Sequence, residues 1–89
     1  MNNFYKTKLI YKSSTLIIEK RTELLQDLVA YTNDPTRYSR RIRMLIQLSQ
    51  YEHELISKID NFESEEATDF DFALANITNE ILAITNTSA

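Results

Sequence analysis

An all-α fold is predicted for this chain: one domain over residues 1–89, built as an up-down-up bundle of three long antiparallel helices. Three observations carry that expectation. Glycine is absent and proline occurs once among 89 residues, so left-handed turn positions, glycine C-caps and tight primed hairpins lack their usual residue. Apolar residues make up 43% of the chain and recur at helical spacing rather than in alternation. The one proline stands in Asn33-Asp34-Pro35, where it can both stop one helix and start another.

The first helix should end near Thr32, because a proline disfavours helix in the residue before it. Ile17, Leu24, Leu28 and Tyr31 share a face, and Ile10 lies seven residues before Ile17 on the same line. Its start has two readings. A helix over 3–32 begins near Asn3. A helix over 14–32 uses Ser13 or Ser14 as N-cap and leaves Phe4 to Lys12 as an extended arm. Tyr5, Leu9 and Ile10 do not separate the two, and the longer helix is preferred.

The second helix should run over 35–60. Asp34 is a favoured N-cap and Pro35 suits the first helical position. Tyr38, Ile42, Leu45, Leu48, Leu55, Ile59 and Phe62 recur at steps of three, four or seven, forming one face of a helix about 39 Å long. The third helix, over about 65–85, should begin between Ser64 and Thr68. There Glu65, Glu66, Asp69 and Asp71 suit the positive end of its dipole. Phe70, Leu74, Ile77, Ile81 and Ile84 then give the cleanest periodicity in the chain. The tail from Asn86 to Ala89 is expected to fray.

Short connections make consecutive helices antiparallel neighbours, and so small a bundle is expected to gain stability by self-association. Arg21 and Glu52 interrupt the apolar stripes. Either they snorkel from the core edge to water, the simpler reading, or they pair across a helix interface, which would serve register more than stability.

The composition also excludes functions. Without glycine there is no P-loop and no dinucleotide fingerprint. Without cysteine there is no disulfide, cysteine zinc site, iron–sulfur ligation or thiol catalysis. No stretch reaches membrane-spanning length, and MNNFYKTKLIYK lacks a signal-peptide core. A cytoplasmic protein without membrane association is therefore expected, in which the glycosylation matches at Asn76 and Asn86 carry no meaning.

His53 is the only histidine, and Glu52 and Glu54 beside it point in different directions on a helix, so no metal site is expected. Asp69 and Asp71, two positions apart, do not face each other as a carboxylate pair would. No cofactor and no enzymatic activity are expected.

The net charge of −3 conceals two unlike halves. Residues 1–43 hold nine basic side chains against four acidic ones, giving +5, while residues 44–89 hold Lys58 against nine acids, giving −8. The most informative segment is Thr36 to Arg43. Arg37, Arg40, Arg41 and Arg43 occupy the first two turns of the second helix, the end where the macrodipole disfavours cations. With Tyr38 among them, they form a candidate partner- or anion-binding surface.

Counting from a hairpin centred on residues 33–35, facing positions sum to about 68, which sets Asp27 opposite Arg40 and Arg41 and neutralises one of them. A turn near 61–66 sets Glu80 near Ile46 and Gln47 and leaves the other acids at the far end, with Lys8 and Lys12 near them. Phe72, Ala75 and Leu82 lie off the main stripe of the third helix as a candidate oligomer surface, and Ile18, Leu25 and Ile56 widen the stripes of the other two.

These features fit a small interaction protein: a regulator, assembly factor or inhibitor that binds a protein partner and self-associates, most simply as a dimer. A nucleic-acid-binding accessory protein using the arginine cluster is the alternative. A pI near 5.0 and the lack of a short-helix recognition motif weigh against it. The richness in Asn, Ile, Lys and Tyr would suit a phage or mobile-element protein of an AT-rich bacterium.

Overall fold

A computed structural model describes residues 4–88 and contains three helices: α1 (Phe4–Ala30), α2 (Pro35–Asp60) and α3 (Ala67–Ile84). They pack as an up-down-up all-α bundle, a rod of 52 × 19 × 16 Å. Among the described residues there is no strand. α1 is the central helix, packing on both neighbours, while α2 and α3 touch least.

The boundary at Asn33-Asp34-Pro35 forms as the residues dictate. The Asp34 side chain accepts a hydrogen bond from the Arg37 N–H at 3.2 Å, and Pro35 occupies the first turn. The Thr32 hydroxyl donates to the carbonyls of Leu28 and Val29, satisfying orphan acceptors at the end of α1. α2 ends on Asn61 in a right-handed conformation (φ −85°, ψ −4°). No described residue has positive φ, so this glycine-free chain closes its helices without a left-handed cap.

Residues 61–66 connect α2 to α3. Glu66 occupies the N-cap of α3 without a side-chain bond. Instead the Ser64 hydroxyl accepts from the Glu66 N–H and donates to the Asp69 carboxylate at 2.6 Å. Past α3, the Asn86 side chain accepts from the Ser88 N–H and hydroxyl, closing the tail on itself. The position of Ala89 lies outside the described residues.

The longer first helix is the one that forms. Its expected start at Asn3 lies outside the described residues, but Ser13 is buried in mid-helix and caps nothing. The inward face of α1 is Leu9, Ser13, Ile17 and Leu24. Ile10, placed in the core by its seven-residue spacing from Ile17, is half exposed. Leu9 and Ser13 instead continue the inward line, and the small Ser13 lets the crowded central helix approach its neighbours.

α2 is also rotated at its N-terminal half. The stripe expected through Tyr38, Ile42 and Leu45 gives way to Arg41, Met44, Leu48, Tyr51, Leu55 and Ile59. Ile42 and Leu45 are only half-buried and Tyr38 is exposed. Arg41 turns inward to reach Asp27 on α1 at 3.2 Å, and Met44 is buried one turn later. On α3, Phe70, Ile77 and Ile81 are buried, with Leu74 and Ile84 packed beside them.

Arg21 and Glu52 resolve into a cross-helix pair at 3.0 Å with both side chains partly solvated. The simpler expectation, separate snorkelling to water, is corrected: facing acids and bases on adjacent helices find each other at the core edge. At that exposure the pair contributes about 0–1 kcal/mol.

Candidate partner interface

The four arginines divide into two groups, and α2's helical geometry decides which is which. Positions 37 and 41 are four apart on the side facing α1, whereas 40 and 43 turn toward the end of α3.

Arg41 is the inward member, with its side chain only 6% exposed. Its Nε donates to Asp27 Oδ2, its Nη1 reaches the Arg37 carbonyl at 3.4 Å, and its guanidinium lies 4.7 Å from the Tyr31 ring centroid. Arg37 lies 5.2 Å from the same ring and 3.6 Å from the Asp34 carboxylate. Tyr31 thus carries two cations at the α1–α2 hairpin. Positions 31 and 37 sum to 68, as do 27 and 41, so the hairpin register that located Asp27 also contained Tyr31. The apolar periodicity alone places Tyr31 on the core face, which obscures this role.

Arg40 is half-buried and Arg43 exposed. They border a shallow surface with Met44, Gln47, Ala83, Ile84 and Asn86, where α2's beginning meets α3's end. No acidic residue follows Glu80 in the chain, and Arg43 makes no ion pair among the described residues. The negative end of the α3 dipole lies here, and this offsets what the α2 dipole withholds from these cations. Tyr38 is exposed but stands about 160° around α2 from Arg40. It is not part of the same surface.

At the far side, Lys58 Nζ donates to Glu80 Oε2 at 2.9 Å and sits 5.3 Å from the Tyr51 ring centroid. Glu80 therefore meets Lys58 rather than Ile46 and Gln47, because the 61–66 connection is not a symmetric turn about which positions can be counted. The buried Tyr51 hydroxyl lies beside this carboxylate without reaching good hydrogen-bond geometry. Even so, that hydroxyl, followed by Lys58, holds the Glu80 carboxyl below the usual carboxylate range. Burial first, then Glu80, pushes the Tyr51 phenol up.

The acidic end bears out the expected separation for Lys8, which lies 5.1 Å from the Phe70 ring centroid at the start of α3, where Tyr5 stacks on the same ring. Phe72, Ala75 and Leu82 are all exposed on α3. His53 is exposed, and no three potential metal ligands cluster among the described residues. No described helix is long and apolar enough to cross a membrane. No protein-family model, curated protein or solved structure matches the chain.

Proposed function

We propose that this is a small non-enzymatic interaction protein, a regulator, assembly factor or inhibitor, that grips an acidic protein surface with its arginine end and self-associates through helix faces. The observation that carries the reading is the surface at Arg40 and Arg43. Two guanidinium groups border apolar Met44, Ala83 and Ile84, and Arg43 among them is exposed and makes no ion pair among the described residues. Charge beside apolar surface is what a protein interface offers, with arginine enriched there. A cytoplasmic setting accords with this reading.

The nucleic-acid alternative draws less support. Arg41 is committed to Asp27, Arg37 leans on Asp34, and Tyr38 stands apart, so few cations of the cluster are left for phosphates and the expected salt dependence is shallow. The test is a double Arg40→Gln, Arg43→Gln variant, compared with the native chain for capture of partners from nuclease-treated extract of its own cells. Loss of a nuclease-resistant protein complex is expected. A complex that disappears with nuclease, or falls steeply with salt, would move the assignment to nucleic acid.

A further inference from the structure

α1 carries a second apolar line on the side away from the bundle. Phe4, Tyr11, Ile18 and Leu25 follow one another at seven-residue steps, and Val29 lies four beyond. All five are between 49% and 79% exposed. Seven residues fall about 20° short of two full turns, so the line stays on one side, roughly 120° around the helix from Ile17 and Leu24. The positions between them on that side are Thr7, Lys8, Ser14, Thr15, Arg21 and Thr22. The outer face of this 27-residue helix is thus uncharged in its middle, from Tyr11 to Ile18, with Lys8 and Arg21 at the borders beyond.

A seven-residue apolar repeat is the signature of a helix packed along another helix, and an exposed apolar strip of this extent marks an interaction site. The charges beside the strip identify the partner. Lys8 and Lys12 flank its first half, and Glu19 and Glu23 flank the second. Laid antiparallel on a second copy, with facing positions summing to about 31, Lys12 meets the partner's Glu19, while Lys8 and Glu23 keep their contacts to Phe70 and Lys20 of their own chain. The twofold axis forms the Lys12–Glu19 pair twice, as a self-complementary interface requires. A parallel arrangement would set Lys12 against the partner's Lys12. Lys12 and Glu19 are both exposed and make no ion pair among the described residues. Small Ser14 and Thr15 fall at the twofold, where two helix backbones must come closest.

We propose that the outer face of α1 is the seam of a symmetric antiparallel dimer of this chain, centred near Thr15. The proposal deepens the self-association reading above and rests on it. A strip about 40 Å long and 10 Å wide contributes about 400 Å² per copy, half of a standard interface. Additional area comes from the groove beside it, about 200 Å³ in volume, where Ile10 and Ser14 on α1 face exposed Ile56 on α2. The dimer is accordingly of modest affinity, populated at tens of micromolar.

Sedimentation equilibrium on the full chain tests the seam, with circular dichroism as the control for folding. The native chain should dimerise, and Ile18→Asp should be a folded monomer. Lys12→Glu and Glu19→Lys should each weaken the dimer about tenfold, while the double swap restores it. Since the chain has no cysteine, Thr15→Cys should oxidise to a covalent dimer, and Leu25→Cys, far from its own copy, should not. A native monomer at hundreds of micromolar would overturn both the seam and the self-association reading. A dimer that survives Ile18→Asp but is lost in Phe72→Asp would overturn the seam alone. Failure of the double swap to restore association, or efficient crosslinking of Leu25→Cys, would overturn the antiparallel register.

Discussion

Along α1 the inward line of Leu9, Ser13, Ile17 and Leu24 runs beside an outward line of Phe4, Tyr11, Ile18 and Leu25 that is no less apolar. The first is buried under α2 and α3, whereas the second faces out. The difference lies in size and shape. The inward line is aliphatic and includes a serine small enough for two neighbours to close upon. The outward line carries two aromatic rings, and the one aromatic ring that α1 turns toward the bundle, Tyr5, packs at its end against Phe70. Apolar content locates the surfaces a helix must cover, and on α1 its own chain covers only one of the two.

Neighbouring residues on α1 give the largest separation. Ile17 is 1% exposed and Ile18 is 60% exposed. Ile17→Ala should cost about 2–5 kcal/mol through lost transfer energy and the cavity left behind. Ile18→Ala, measured by urea unfolding at concentrations where the chain is monomeric, should stay within about 0.5 kcal/mol. Equal costs under dilution would mean that the two faces have been assigned the wrong way round.

The arginines repeat the comparison in polar form. Arg41→Met removes a charged hydrogen bond and a ring contact, with an expected loss of about 1–2 kcal/mol. The loss is moderated because Asp27, at 37% side-chain exposure, can rehydrate. Arg43→Met should leave the melting temperature nearly unchanged. A thermal melt in which the two variants coincide would remove the distinction between the arginine that holds the hairpin and the one offered outward.

Much of this was legible in the residues, for identifiable reasons. Asp34 and Pro35 act locally, so the α2 start needed no tertiary information. The even spacing of Phe70, Leu74, Ile77, Ile81 and Ile84 left α3 only one apolar face of that length. α1 and the first half of α2 were harder because each has two apolar lines. There the buried one was set by partners distant in sequence: Asp27 drawing in Arg41, and the close approach at Ser13. The division of the arginine cluster was half legible. The hairpin register assigns Arg41 to Asp27, but the meeting of Arg40 and Arg43 with the end of α3 depends on a connection that counting from a turn does not describe.

Ser13 itself offers a smaller and opposite effect on the inward face. Its hydroxyl is buried without a hydrogen-bond partner, which costs part of its hydration. Ser13→Ala keeps the close approach and removes the orphaned group, so it should stabilise the chain by about 1 kcal/mol, visible as a raised melting temperature. A destabilised Ser13→Ala variant would show that the hydroxyl has a partner in solution.

The smallest effect concerns the contact between α2 and α3, the weakest in the bundle. Glu80 has its carboxyl held below the usual range by the Tyr51 hydroxyl and by Lys58. A group with a depressed folded-state pKa stabilises the fold above its unfolded value and loses that contribution as pH falls through the folded value. Near neutral pH, Glu80→Gln should therefore melt slightly below the native chain. The gap should close on acidification below the ordinary carboxylate range, as the native Glu80 becomes protonated. Because Lys58 and Glu80 are both about half solvated, added salt should narrow the same gap at pH 7. A difference indifferent to both acid and salt would assign the effect of Glu80 to packing against Tyr51 rather than to its charge.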